Sequence, residues 1–228
     1  GHVVRASPDM TLDVDHNHMP TILFTGYPRA FKSTLLYSLM HPIRSLGIQA
    51  HIVEEREVNV DKVRYPVEYA LIFAHKTLER LLATKTDDKL VFLDRGGLDQ
   101  VAFLRVQESR GKLDWSSAKL ASMYLLQFFL PHIDAIVVFI SNPQTSLKRH
   151  PDPPGRLVMQ EDFLSALSSA FQALPHELAF AGDYYRSRLT GISPTKQIPF
   201  LSISTDSVDE PWMAEVTQDD ITDSLNYP

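Results

Sequence analysis

The stretch "PTILFTGYPRAFKSTLL", residues 20–36, decides how the rest of the chain is read. A short apolar run, Thr21 to Thr25, precedes Gly26, and Lys32-Ser33-Thr34 opens an apolar segment with helical spacing. This is nearly the pattern G-x-x-x-x-G-K-[ST], with Phe31 where the second glycine belongs. Such a loop encloses phosphates because successive backbone N–H groups converge at a helix N-terminus, where the helix dipole also favours an anion. Read this way, Gly26 makes the turn out of the strand. The backbone of Tyr27, Pro28, Arg29, Ala30, Phe31, Lys32, Ser33 and Thr34 forms the cradle. Lys32 reaches the terminal phosphates of ATP or another nucleoside triphosphate, and Ser33 holds Mg²⁺. If position 31 demands a positive φ, Phe31 is strained there; if it demands only room, the ring can point away.

Working outward, the segment 1–19 is polar and aperiodic and reads as a flexible arm, which leaves 20–228 as a single domain. A helix is expected from Lys32, stopped or kinked near Met40 by Pro42, with Gly47 suited to its C-terminus. "IQAHIV" (48–53), "KLVFLD" (89–94), "IDAIVVFI" (133–140) and "IPFLSIS" (198–204) add four strands to "TILFT". Helical spacing marks 67–82, and Ser116–Leu130 is apolar nearly all round, which predicts burial. Asn142 and Pro143 start a short helix over 142–149. Two further helices are expected over 162–174 and 178–189. Five strands alternating with helices predict a doubly wound α/β domain with a parallel sheet. Such folds bind ligands beyond the carboxyl ends of the strands. "GYPRAFKST", "EERE" and "DRGG" each follow a strand at that edge.

The 228 residues suffice for a sizeable core, and a net charge of −6 argues against broad binding to nucleic acid or an anionic membrane. The absence of cysteine excludes disulfides and thiolate chemistry and fits a cytoplasmic protein. The longest apolar run, "ASMYLLQFFLP", is too short to span a bilayer. Asp13, Asp15, His16 and His18 cluster in "DVDHNHMP" and read as a polar tail. Trp115, Phe73, Tyr124, Phe128 and Phe129 could stack on a planar acceptor, although helical spacing favours the core.

With these motifs in place, the chain resembles the P-loop nucleoside and nucleotide kinases, the group that includes thymidylate kinase and the deoxynucleoside kinases. The resemblance covers the element order of roughly residues 20–205 and rests on "GYPRAFKST", "HIVEERE" and "LVFLDRGGLDQVAF". It implies a three-layer sandwich with a five-stranded parallel sheet flanked by helices. By this match Asp94 is the carboxylate near Mg²⁺, and Arg95 is the cation near the transferred phosphate. Glu54 or Glu55 would take the proton of an acceptor hydroxyl, and neighbours on a strand face opposite ways, so one of the two should face the site. A lid is expected over 148–160, where Arg149 and Arg156 would neutralise transferred charge. The implied activity is ATP- and Mg²⁺-dependent phosphoryl transfer to a small molecule, a nucleoside or nucleotide among the candidates. The sequence does not decide the oligomeric state, and a homodimer stays open. Two other readings stand beside it. One is a regulatory nucleotide-binding protein without catalysis. The other is a sulfotransferase with a 3′-phosphoadenosine donor, since Tyr27, Pro28 and Arg29 fit that family's loop while Phe31 and Lys32 do not.

Overall fold

The structure, a computed structural model, describes residues 5–6, 19–55, 58–149, 160–188 and 198–206. Its strands are β1 (Arg5–Ala6), β2 (Thr21–Gly26), β3 (Ala50–Val53), β4 (Leu90–Asp94), β5 (Ala135–Ile140) and β6 (Phe200–Ser204). They form one sheet in the order β1-β6-β5-β2-β4-β3. The five strands expected from sequence are mutually parallel. The two-residue β1 adds an antiparallel edge to β6, Arg5 opposite Ser202. It falls inside the segment read as an arm and is too short to leave a periodic signal.

All five residues of β4 are buried. Side chains alternate between the two faces of a strand, so both faces of the sheet are covered by helices. The helices are α1 (Lys32–Ser45), α2 (Pro66–Thr84), α3 (Gly97–Ser109), α4 (Trp115–Phe129), α5 (Pro143–Arg149) and α6 (Glu161–Arg188). The core is continuous, running through Leu23, Leu36, Leu93, Leu104, Phe129, Phe139 and Phe163. The chain enters at central β2, and its next strands, β3 and β4, lie on one side. β5 then pairs with the opposite edge of β2. β2 therefore marks the point where winding reverses, and a crevice opens beyond its carboxyl end.

Several helices depart from the sequence reading. α1 runs through Pro42 to Ser45. Pro42 is exposed in the final turn, so the Ser38 carbonyl that loses its partner can turn to water. Gly47 does end the segment, at φ +79, with its amide on the Arg44 carbonyl at 2.9 Å. The two helices expected over 162–189 are one, since α6 remains helical across Pro175. α3 carried no clear helical period, because Gln100 and Gln107 are buried along with its apolar residues. α4 is not buried all round: Ala118, Ala121, Leu125, Leu126 and Phe129 face the core, whereas Trp115, Leu120, Tyr124 and Phe128 are exposed. Phe73 and Phe129 lie fully in the core. Asn142 caps α5 as expected, its side-chain carbonyl accepting from the Gln144 amide at 2.9 Å.

Candidate nucleotide and phosphoryl site

The loop between β2 and α1 is held at every step. Gly26 has φ +125, and a Cβ there would lie 2.2 Å from the Phe139 carbonyl oxygen of β5. Only glycine permits this approach of the loop to its neighbouring strand. The Tyr27 amide donates to that same Phe139 oxygen at 2.8 Å. The buried Tyr27 hydroxyl donates to the Leu164 carbonyl of α6 at 3.0 Å. Ser146 Oγ donates to the Pro28 carbonyl at 2.6 Å, and Arg149 Nη1 to the Arg29 carbonyl at 3.2 Å. Lys32 Nζ folds over the loop and donates to the carbonyls of Tyr27 at 2.7 Å and Gly26 at 3.2 Å. The loop's carbonyls are thus engaged by side chains around it. Among the described residues no acceptor takes the amides of Ala30, Lys32, Ser33 or Thr34. Those amides stand at the N-terminus of α1, the arrangement that suits an anion.

Phe31 answers the question its position raised. It lies in the left-handed region, φ 59 and ψ 24, so the position does take the positive φ that glycine favours. Arg29, Phe31 and Arg95 are the positive-φ residues other than glycine among those described, and all three sit at the carboxyl edge of the sheet. Backbone strain concentrated at one edge is characteristic of a functional site.

Across the crevice, β4 ends in Asp94, buried at 8 % exposure. Ser33 Oγ donates to Asp94 Oδ2 at 2.6 Å, which brings together the two residues assigned to the metal. Asp94 Oδ1 is buried and has no hydrogen-bond partner among the described residues. A carboxylate oxygen and a hydroxyl at the mouth of a phosphate loop are hard oxygen donors. They suit Mg²⁺, which takes one or two carboxylates and completes its shell with phosphate oxygens and water. Among the described residues no cluster of three or more His, Asp or Glu side chains forms a metal cage. The residues Asp13, Asp15, His16 and His18 lie outside those described.

Arg95 follows at φ 70, its amide still bonded to the Phe24 carbonyl at 2.9 Å. Its guanidinium pairs with Glu55 at 3.0 Å. Of the two glutamates after β3, Glu55 therefore joins the cluster. Glu54 accepts instead from the Tyr37 hydroxyl of α1, and its carbonyl accepts from Arg80. Desolvation raises the pKa of Glu55 although its side chain keeps 36 % exposure; Arg95 opposes the rise, Asp99 and Asp94 add to it, and Lys32 opposes it. Burial likewise works against charge on Arg95, but Glu55, Asp99 and Asp94 outweigh it and hold its pKa above the ordinary value. Burial is the main cause that lowers Lys32 to about 8, and the like charge of Arg95 adds to it.

The sequence reading missed Asp99. It is half-buried, its pKa raised chiefly by desolvation, and its carboxylate accepts from the amides of Gly96 at 2.9 Å and Gly26 at 3.5 Å. An acidic residue three positions after the cap residue Gly96 is the available signal, since it reaches back to the cap amide. The second arginine expected on a lid, Arg156, lies outside the described residues, as does the lid segment 150–159. Arg149 is described, and its guanidinium rests on the loop and on Thr205, the residue after β6. No described helix is long and apolar enough to cross a membrane.

Sheet order and the helices on both faces make this an α/β fold, a three-layer sandwich built on five parallel strands. Comparison with solved structures agrees. The chain is similar to a deoxyadenosine kinase from M. mycoides, solved with bound dATP, at a TM-score of 0.56 and 16 % identity, over 91 % of this chain and 100 % of that one. No protein-family model and no curated protein matches the sequence. At that identity the likeness speaks for the fold.

Proposed function

We propose that the protein is an ATP- and Mg²⁺-dependent phosphotransferase whose acceptor is a small alcohol of the nucleoside type. The observation that carries this reading is the Ser33–Asp94 contact of 2.6 Å beside the buried Lys32 ammonium, at the mouth of the loop. The amides of residues 30 and 32–34 with Lys32 hold the polyphosphate. Ser33 and Asp94 hold the metal, which when bound spreads the negative charge of the reacting phosphates. Arg95 supplies positive charge beside Asp94. Glu55 stands next to Arg95 with a raised pKa, which fits a group that accepts a proton from an attacking hydroxyl. A phosphate acceptor arrives ionised and has no need of such a base, so the carboxylate favours an alcohol. The deoxyadenosine kinase held dATP in its structure, which supports a nucleotide in this crevice. Catalysis of this kind is mostly positioning and electrostatics, and the few charged side chains present are sufficient.

The test is phosphoryl transfer from γ-labelled ATP to a panel of nucleosides and nucleotides. One nucleoside class is expected to be labelled only with Mg²⁺ present. Asp94→Asn and Ser33→Ala are expected to lose roughly 10²–10³-fold in kcat, the usual loss for one electrostatic contact to a transition state. Tight ATP binding with no labelled product from any acceptor would instead mark a regulatory nucleotide-binding protein. Selective binding of a 3′-phosphorylated adenosine nucleotide without Mg²⁺ would mark a sulfotransferase.

A further inference from the structure

The departure of the loop from its pattern has a partner on another helix. The Phe31 ring is 8 % exposed, and the guanidinium carbon of Arg149 lies 4.2 Å from its centroid. That distance is a cation stacked on a ring face. The same guanidinium donates from Nη1 to the Arg29 carbonyl at 3.2 Å and to Thr205 Oγ1 at 3.1 Å, and from Nη2 to the Thr205 carbonyl. One turn earlier on α5, Ser146 holds the Pro28 carbonyl at 2.6 Å. Residues three apart share a helix face, so one face of α5 grips two successive loop carbonyls and one ring. The Thr205 contacts tie this grip to the residue that follows β6.

The consequence for the loop is geometric. A trans peptide is planar, and its N–H points opposite to its C=O. Drawing the carbonyls of Pro28 and Arg29 toward α5 turns the amides of Arg29 and Ala30 the other way. A glycine-rich loop takes up its curvature because nothing hinders it. Here a bulky residue stands at the left-handed position, and side chains from α5 fix the curvature from outside.

We infer that Phe31 and Arg149 form a clasp that sets the phosphate loop, and that Arg149 is a positioning residue for the polyphosphate, acting through the loop without touching the transferred group. This rests on the reading of the loop as a polyphosphate site. It assigns Arg149 a part different from the charge-neutralising one that the family resemblance implied, and it gives the substitution of glycine by Phe31 a purpose.

The experiment is a double-mutant cycle over wild type, Phe31→Leu, Arg149→Lys and the double variant. Each protein is titrated calorimetrically with β,γ-imido ATP and MgCl₂ below its unfolding temperature, and each is unfolded in urea. Arg149→Lys is expected to raise Kd about tenfold, the scale of one lost bidentate or stacked contact. In the Phe31→Leu background the same change is expected to cost less than about threefold, because its partner is already gone. Ser146→Ala, which removes the neighbouring grip, is expected to raise Kd about threefold and replaces Arg149→Lys should that variant fail to fold. An unchanged Kd in Arg149→Lys, or the same loss in both backgrounds, would overturn the clasp, the second by showing that Arg149 acts independently of the Phe31 ring. If wild type binds no analogue, the polyphosphate reading falls by itself. The urea cycle then judges the clasp: non-additive stabilities support it, and additive ones overturn it.

Discussion

Phe31 shows how a residue that breaks a motif can be retained. Holding an L-residue in the left-handed region costs roughly 1–2 kcal/mol. Burying the ring contributes about 1.5–3 kcal/mol, and a stacked guanidinium about 0.5–2 kcal/mol more. The gains exceed the strain. Phe31→Gly is therefore expected to lower stability by about 1–3 kcal/mol in urea unfolding, although it restores the usual loop sequence. An increase in stability would mean that strain dominates. Lys32 sets a second test, with two opposite signs. Its pKa lies at about 8 in the folded protein against 10.5 for a lysine in water. Between those values the unfolded chain binds the extra proton, so stability should rise with pH across that window. Anion binding needs the ammonium, so affinity for ATP should be flat below pH 8 and fall above it, at most about tenfold per pH unit. Lys32→Ala should remove both slopes. Titrations in buffers of different ionisation enthalpy should also show proton uptake on binding above pH 8.

At the scale of elements, the sequence spoke where pattern and burial coincide. β2, β4 and β5 are runs of apolar residues in a parallel sheet covered on both faces, and they were legible as such. The start of α1 and the cap of α5 followed from Lys32 and Asn142. α3 was not legible, because its buried face includes Gln100 and Gln107 and no apolar stripe stands out. α4 was misread in the opposite sense: apolar residues on its outer face look, in sequence, like a second buried face. The structure separates the two faces. Leu120, 68 % exposed, tolerates Leu120→Asp with a change within about 0.5 kcal/mol, whereas Leu125→Ala, at 1 % exposure, should cost about 2–5 kcal/mol. Urea unfolding of the two variants checks this directly.

For the whole molecule, the sheet brings together side chains far apart in sequence. The order β5-β2-β4-β3 places Gly26, Asp94 and the segment after Val53 along one edge. That convergence was legible from the strand ends; Lys32 and Ser33 were named from the loop motif, and Asp94 and Arg95 from the family resemblance. Which glutamate faces the crevice was not legible. It depends on how the chain leaves β3, where Tyr37 and Arg80 hold Glu54 and leave Glu55 to Arg95. Ser146 and Thr205 were also out of reach, because their contacts with the loop and with Arg149 span 118 and 56 residues. The measurement closest to the centre of the matter is a calorimetric titration of wild type and Lys32→Met with β,γ-imido ATP, with and without MgCl₂. Saturable binding by wild type, strengthened by Mg²⁺ and weakened about tenfold to a hundredfold in Lys32→Met, is the expected result, the scale of charge-assisted contacts to phosphate. Equal heats from the two proteins, or no binding by wild type at millimolar nucleotide, would contradict it.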